Sequence, residues 1–291
     1  MTTVTAPVPP TQNTLVQDLI EAGIHFGQRS SGWNPKMGPY IWGKRNGIHI
    51  IDIKETVKGL LLAKKFLTRV VADGKDVVFV GTKRQARSVL EQRVGDIKMH
   101  YTIERWLGGT LTNFRTIRSR LKRLEELDAI EQKDQFSSYS KKMESQLRRE
   151  MRKISRNLGG LRLMDKLPGA MVVIDVNKEG NALKEARKLG IPTVCLIDTD
   201  GDPEMADIPI PGNDDSMRSI DVIIRELCLA IADGKAARQQ AKGGAPVGAP
   251  EAGDQPGDAG ARRSRRAQFR ADEPGADAPP AAEPAAAGKS L

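Results

Sequence analysis

Short runs of β-branched residues alternate with helix-length segments along most of this chain, and that alternation limits its fold more than any other feature. Residues 76–81 read DVVFVG, apolar on both sides of a pleat, so a strand there has to be buried on both faces. Residues 171–176 (MVVIDV) and 193–198 (TVCLID) are of the same type, residues 48–53 form a compact apolar strand, and residues 99–103 are a shorter candidate. Between them lie segments of helical period. Residues 14–22 carry Thr14 as a cap and Gly23 as a stop. Asp52 and Glu55 form a capping-box pattern for a helix ending near Gly74, and a further helix follows Lys83-Arg84-Gln85-Ala86. Residues 178–189 precede Gly190, and residues 215–232 close the alternation. Strands and helices in this order predict an α/β architecture, a parallel sheet with helices on both faces.

The pattern changes between residues 105 and 158. Phe114, Ile117, Leu121, Leu124 and Leu127 recur at threes and fours, as do Met143, Leu147, Met151, Ile154 and Leu158. A polar stretch at 132–140 separates the two segments, which predicts an antiparallel helical hairpin inserted into the α/β domain. Its outer faces are cationic, with Arg115, Arg118, Arg120, Lys122 and Arg123 on one arm and Arg148, Arg149, Arg152, Lys153 and Arg156 on the other. Solvation alone accounts for such a face, but arginine's planar fork also suits phosphate. The expected organisation is a flexible N-terminus at 1–13, a core at 14–104 and 159–235, the hairpin at 105–158, and a tail at 236–291. That tail is Ala, Gly and Pro rich with an Arg262–Arg266 cluster, and its composition predicts disorder.

The chain of 291 residues carries a formal charge of +9 and a pI near 9.6, which favours an anionic partner. No apolar run approaches the roughly 20 residues of a membrane span, and residues 1–13 lack the pattern of a secretory signal. Cys195 and Cys228 have no metal-ligand spacing and read as buried thiols of a reducing cytoplasm. Residues 23–52 (GIHFGQRSSGWNPKMGPYIWGKRNGIHIID) interleave Trp33, Tyr40 and Trp42 with Arg29, Lys36, Lys44 and Arg45. That run suits either base stacking with phosphate contact or an irregular loop whose aromatics fill the domain's own core.

Little here points to catalysis. GxGxxG and GxxxxGK[ST] are both absent, although Gly81-Thr82-Lys83-Arg84 has the position of an anion-binding turn. The three histidines are dispersed. Asp198, Asp200, Asp202, Asp207, Asp214 and Asp215 read as turn and cap residues, with a bound divalent cation as the minority reading. The expectation is no catalytic residue, no metal, no cofactor and no small-molecule substrate. The competing reading is a Rossmann-like enzyme acting on a phosphorylated small molecule through residues 81–84 and the aspartates at 198–202.

Several collinear runs resemble the bacterial small-subunit ribosomal protein S2 family: EAGIHFG, WNPKM-x-x-YI, RNGIHIIDI-x-x-T, VVFVGTK-x-QA, RWLGGTLTNFRTIRSRLKRLEEL, LPGAMVVIDVNKE-x-NAL and IPGNDD-x-x-RSI, spread over residues 14–233. The sequence departs from the family at Gln28, where relatives carry histidine. The resemblance implies a flavodoxin-like core with a protruding hairpin, docked without catalysis on 16S rRNA in the cytoplasmic small ribosomal subunit. It also implies neighbouring ribosomal proteins as partners, including ribosomal protein S1. Residues and resemblance together give the expected RNA-facing set: Arg29, Trp33, Asn34, Lys36, Lys44, Arg45, Lys83, Arg84, Arg105, Asn113, Arg115, Arg118, Arg148, Arg149 and Arg152.

Overall fold

The computed structural model describes residues 12–133 and 139–243. At its centre is a five-stranded sheet of β4 (Val77–Val80), β5 (His100–Thr102), β6 (Ala170–Ile174), β7 (Thr193–Ile197) and β8 (Ile208–Pro211). The spatial order is β5-β4-β6-β7-β8 and every pairing is parallel. Counted from β4, that is second, first, third, fourth, fifth, the flavodoxin-like order.

Alternation along the strands sorts their side chains onto two faces. Val77, Phe79, Val172, Ile174, Val194 and Leu196 point into one apolar cluster, shared with α1 (Gln12–Ala22), α2 (Ile53–Ala72), α3 (Arg84–Asp96) and α7 (Met217–Gly243). Val78, Val80, Met171, Val173, Cys195 and Ile197 point into the other. That second face is covered by α6 (Gly180–Leu189) and the base of the hairpin formed by α4 (Phe114–Gln132) and α5 (Lys141–Leu158). Ile117, Leu121 and Leu158 lie in the same cluster as the strand residues. The hairpin is therefore part of the core's cover as well as an extension from it. Along its seam, Ile117, Leu121, Leu124 and Leu127 are buried, whereas Met143 near the start of α5 is exposed.

Several expectations need correction. The first helix starts at Gln12, so Thr14 lies inside it and is not its cap. The last helix runs to Gly243, well past Ala232 and into the segment assigned to the tail, because Ala, Arg, Gln and Lys there favour helix. It opens later than expected as well. Ser216, whose Oγ accepts from Ser219 N–H at 3.4 Å, stands where Asp214 or Asp215 was expected to cap. The strand expected at 48–53 is β3 (Ile48–Ile51), which leaves the parallel sheet for a separate antiparallel one, ordered β1 (Phe26–Arg29), β3, β2 (Ile41–Arg45). Asp52 does cap α2, accepting from Lys54 N–H at 2.9 Å. Its own N–H goes to Tyr40 O rather than to Glu55, so the capping box is half formed. Residues 1–11, 134–138 and 244–291, with most of the expected tail and part of the hairpin turn, lie outside the described residues.

The return from α5 to the sheet leaves no room at one position. A Cβ on Gly160 would sit 2.3 Å from Tyr101 O, whereas one on Gly159 would meet only Ser155 Oγ at 3.9 Å. Gly160→Ala is expected to lower stability by about 1–3 kcal/mol through overpacking. Gly159→Ala should leave the unfolding free energy from urea melts within about 0.5 kcal/mol of the parent, and equal values for both variants would contradict the close approach.

Candidate nucleic-acid interface

The aromatic run at 23–52 folds as the three-stranded antiparallel sheet with a 3-10 turn, Pro35–Tyr40, between β1 and β2. Asn34 organises that turn. Its side chain accepts from Lys36 N–H at 3.0 Å, and its own N–H donates to Thr199 O at 2.8 Å, which ties the loop to the end of β7. Met37 anchors the turn in the core. Trp33 is neither core nor free: its ring lies 5.0 Å from His49, and it is 37% exposed. Trp42 is 78% exposed and Phe26 47%. The register sets Arg29 and Arg45 on either side of Ile48 in one cross-strand row, so the two arginines share a face about 10 Å apart at Cα. Lys44 lies opposite His49 in the next row. Arg29, Lys44 and Arg45 are exposed and have no ion-pair partner among the described residues.

The remaining expected contact residues divide sharply. Arg84, Arg105 and Arg115 are exposed, as is Asn113, whose Oδ1 accepts from Thr116 Oγ1 at 2.8 Å. Arg149 and Arg152 lie with Lys153 and Arg156 on one face of α5, lining a cleft of about 450 Å³. Others are engaged within the chain. Lys36 pairs with Asp202 at 2.9 Å and Glu204 at 2.6 Å. Arg118 reaches Asp165 at 2.5 Å, and Arg148 pairs with Glu131 and Glu144. The spacing of basic residues reveals charge, but not the carboxylates that distant parts of the chain bring to it.

Lys83 is the clearest case. It follows β4 at the point where the strand order reverses, the crevice in which open α/β sheets usually hold ligands. Here the crevice is filled from within. The Lys83 ammonium is 2.7 Å from Asp214, 2.7 Å from Asp215 and 3.2 Å from Asp175. Asp175 adopts φ +71°, uncommon for a residue with a side chain, and its other oxygen accepts from the N–H groups of Asn177 and Lys178. Burial would lower the Lys83 pKa, but the three carboxylates outweigh it and hold the group above its ordinary value. Burial pushes Asp214 upward against the pull of Lys83, and it pushes Asp198 up to about 6. For Asp215, burial is outweighed by Lys83 and by Gln28, whose amide donates to Asp215 at 2.5 Å and to Asp198 at 3.4 Å. Asp198, Asp214 and Asp215 bring one oxygen each within 4.8 Å of one another, and Lys83 and Gln28 already supply donors to that group.

The anion-binding turn is closed by the same logic. Thr82 N–H and Oγ1 both donate to the buried Glu179 carboxylate, at 3.0 and 2.5 Å. A phosphate at this helix start would have to displace Glu179 and compete with three aspartates for Lys83. The reading of residues 81–84 as a small-molecule phosphate site is therefore corrected: the chain's own carboxylates occupy it.

Removing the cation should expose this balance. Lys83→Met is expected to cost about 3–5 kcal/mol near neutral pH by leaving buried carboxylates unpaired. A carboxyl whose folded pKa is raised binds more protons folded than unfolded, so it adds stability as pH falls through the folded value. The Lys83→Met deficit should accordingly shrink between pH 7 and pH 5. Urea melts showing a deficit independent of pH would contradict the network.

Comparison with known proteins bears on the whole chain. A family model described as "Ribosomal protein S2" matches residues 19–234. A curated relative from Rhodopirellula baltica, named "Small ribosomal subunit protein uS2", is 58% identical over 227 residues, covering 78% of this chain and 87% of that relative. The flavodoxin-like strand order, the hairpin inserted between β5 and β6, and the filled crevice all lie within the matched span. This chain belongs to the ribosomal protein S2 family.

Proposed function

We propose that the chain is a structural, non-catalytic constituent of the small ribosomal subunit in the bacterial cytoplasm, serving translation by binding 16S rRNA and neighbouring ribosomal proteins. The observation that carries the RNA contact is the outer face of α5. Arg149 and Arg152, with Lys153 beside them, are exposed without a carboxylate partner among the described residues, whereas Lys36, Lys83 and Arg118 are neutralised within the chain. Cations that find no partner in their own fold are the ones available to release counterions from phosphate. The row of Arg29 and Arg45 supplies a second charged surface, and Arg84, Arg105, Arg115 and Asn113 extend the reading along α3 and the neck. Lys36, Lys83, Arg118 and Arg148 belong to the proposed set with a lesser share, since each already holds an intramolecular partner. Recognition would rest on RNA shape and backbone, because the A-form major groove does not admit side chains. The exposed Trp42 and Phe26 suit contact with protein neighbours, among which this reading includes ribosomal protein S1. No helix among the described residues is long and apolar enough to cross a membrane.

Charge reversal tests the α5 face. The variant Arg149→Glu, Arg152→Glu and Lys153→Glu is expected to bind protein-depleted small-subunit RNA at least tenfold more weakly at moderate salt, with a shallower dependence of affinity on salt. An unchanged salt slope would refute the contact. The Trp33 loop gives a separate check. Trp33→Ala should reduce incorporation into reconstituted subunits while costing less than the about 3–5 kcal/mol typical of a fully buried aromatic. Loss of stability with normal incorporation of the folded fraction would return that loop to a purely structural role.

A further inference from the structure

The hairpin is joined to the sheet by two crossings, residues 105–113 entering α4 and residues 158–161 leaving α5. The exit is fixed by packing, with Leu158 and Leu161 in the apolar cluster and Gly160 against Tyr101. The entrance is irregular backbone, whose amide groups have no helix or strand to satisfy them. One side chain from another element gathers them. Glu185 lies on α6, which Ala182, Leu183 and Ala186 seat firmly on the sheet. Its Oε1 accepts from the Trp106 indole N–H at 3.1 Å and from Gly109 N–H at 2.8 Å. Its Oε2 accepts from Leu111 N–H at 3.0 Å, Thr112 N–H at 3.1 Å and Thr112 Oγ1 at 3.2 Å. Five donors converge on a carboxylate that offers about four lone-pair sites.

This convergence requires the loop to curl around the carboxylate. Gly109 supplies the curl at φ +90°, in the region where glycine is at ease, and Asn113 N–H closes onto Gly109 O at 2.8 Å immediately before α4 begins. Burial would raise the Glu185 pKa, but the amides of Gly109, Thr112 and Leu111 and the Trp106 indole hold it below the usual carboxylate value, so the group is ionised at neutral pH. Other polar ties at the hairpin base, Arg118 to Asp165, Arg162 to Asp128 and Arg156 to Glu104, are surface pairs, a class that contributes little.

We infer that Glu185 is the positioning residue of the hairpin: by clamping residues 106–112 to α6 it sets the direction in which α4 leaves the sheet, and hence where the α5 cations meet RNA. The inference rests on the RNA-docking reading for its consequence, and on the neck geometry alone for the clamp. Glutamine cannot replace the carboxylate. Its amide nitrogen would face N–H donors at one of the two oxygen positions, so part of the set is lost at almost unchanged volume.

The test uses the full chain with spin labels at two exposed positions, Ser88→Cys on α3 and Ser145→Cys on α5, the native Cys195 and Cys228 being buried. The parent should give a narrow distance distribution. Glu185→Gln should broaden it and reduce the salt slope of binding to protein-depleted 16S rRNA. Leu227→Ala, which cuts the opposite apolar cluster, should lower Tm yet leave both readouts alone. Glu185→Asp keeps the charge but withdraws it by one methylene, so it should broaden the distribution more mildly; it also serves if the glutamine variant does not fold. A distribution as narrow as the parent's in both variants overturns the clamp. Broadening with an unaltered salt slope overturns its link to docking. A parent chain whose binding shows no salt dependence instead refutes the RNA reading and leaves the clamp standing.

Discussion

Everything in this structure follows from a sheet that has no solvent face. All residues of β4, β6 and β7 are buried, so each strand must find apolar cover on both sides. On one side α1, α2, α3 and α7 provide it. On the other, α6 cannot cover the sheet alone, and the base of the hairpin completes the layer with Ile117, Leu121 and Leu158. A segment that extends the protein's reach is thus rooted in the burial that stabilises the fold. Rooting of this kind lets charged helices carry exposed arginines without detaching from the platform.

The same economy governs charge. At the crevice where a flavodoxin-like sheet would receive a ligand, Lys83 is surrounded by Asp175, Asp214 and Asp215, and Glu179 takes the Thr82 donors. A site with the position of an enzyme's phosphate cradle has been converted into an internal strut. Fold alone would therefore mislead about this crevice, and the side chains that occupy it show that it is not an open phosphate site.

Much of this was legible from residue order. The DVVFVG run demanded two-sided burial, and the spacing of Ile117, Leu121, Leu124 and Leu127 announced the hairpin seam. The antiparallel sheet was hidden because β1 and β2 are short and include glycine, with register irregularities against β3 that break simple alternation. β8 was hidden because Pro209 and Pro211 read as breakers, although an edge strand tolerates a residue that cannot donate. For the proposed interface, residue type located the cations but could not separate Arg149 from Lys36. The carboxylates that neutralise Lys36 lie 166 and 168 positions away, and no local pattern reports such partners. Glu185 escaped notice for the same reason: a single acid on an amphipathic helix shows nothing of the five donors folded onto it.

The path of the chain between β5 and β6 bears on how the protein reaches this state. β4 lies between β5 and β6 in the sheet, so its pairing with β6 must wait for α3, β5 and the whole hairpin to be traversed. An unstructured connection of that length would raise the entropy of closure and slow the search. A helical hairpin is a local structure whose arms meet quickly and whose ends return side by side. A hairpin formed ahead of the sheet would act as a short splint between β5 and β6, cutting the effective length of the loop that the β4–β6 pairing has to close.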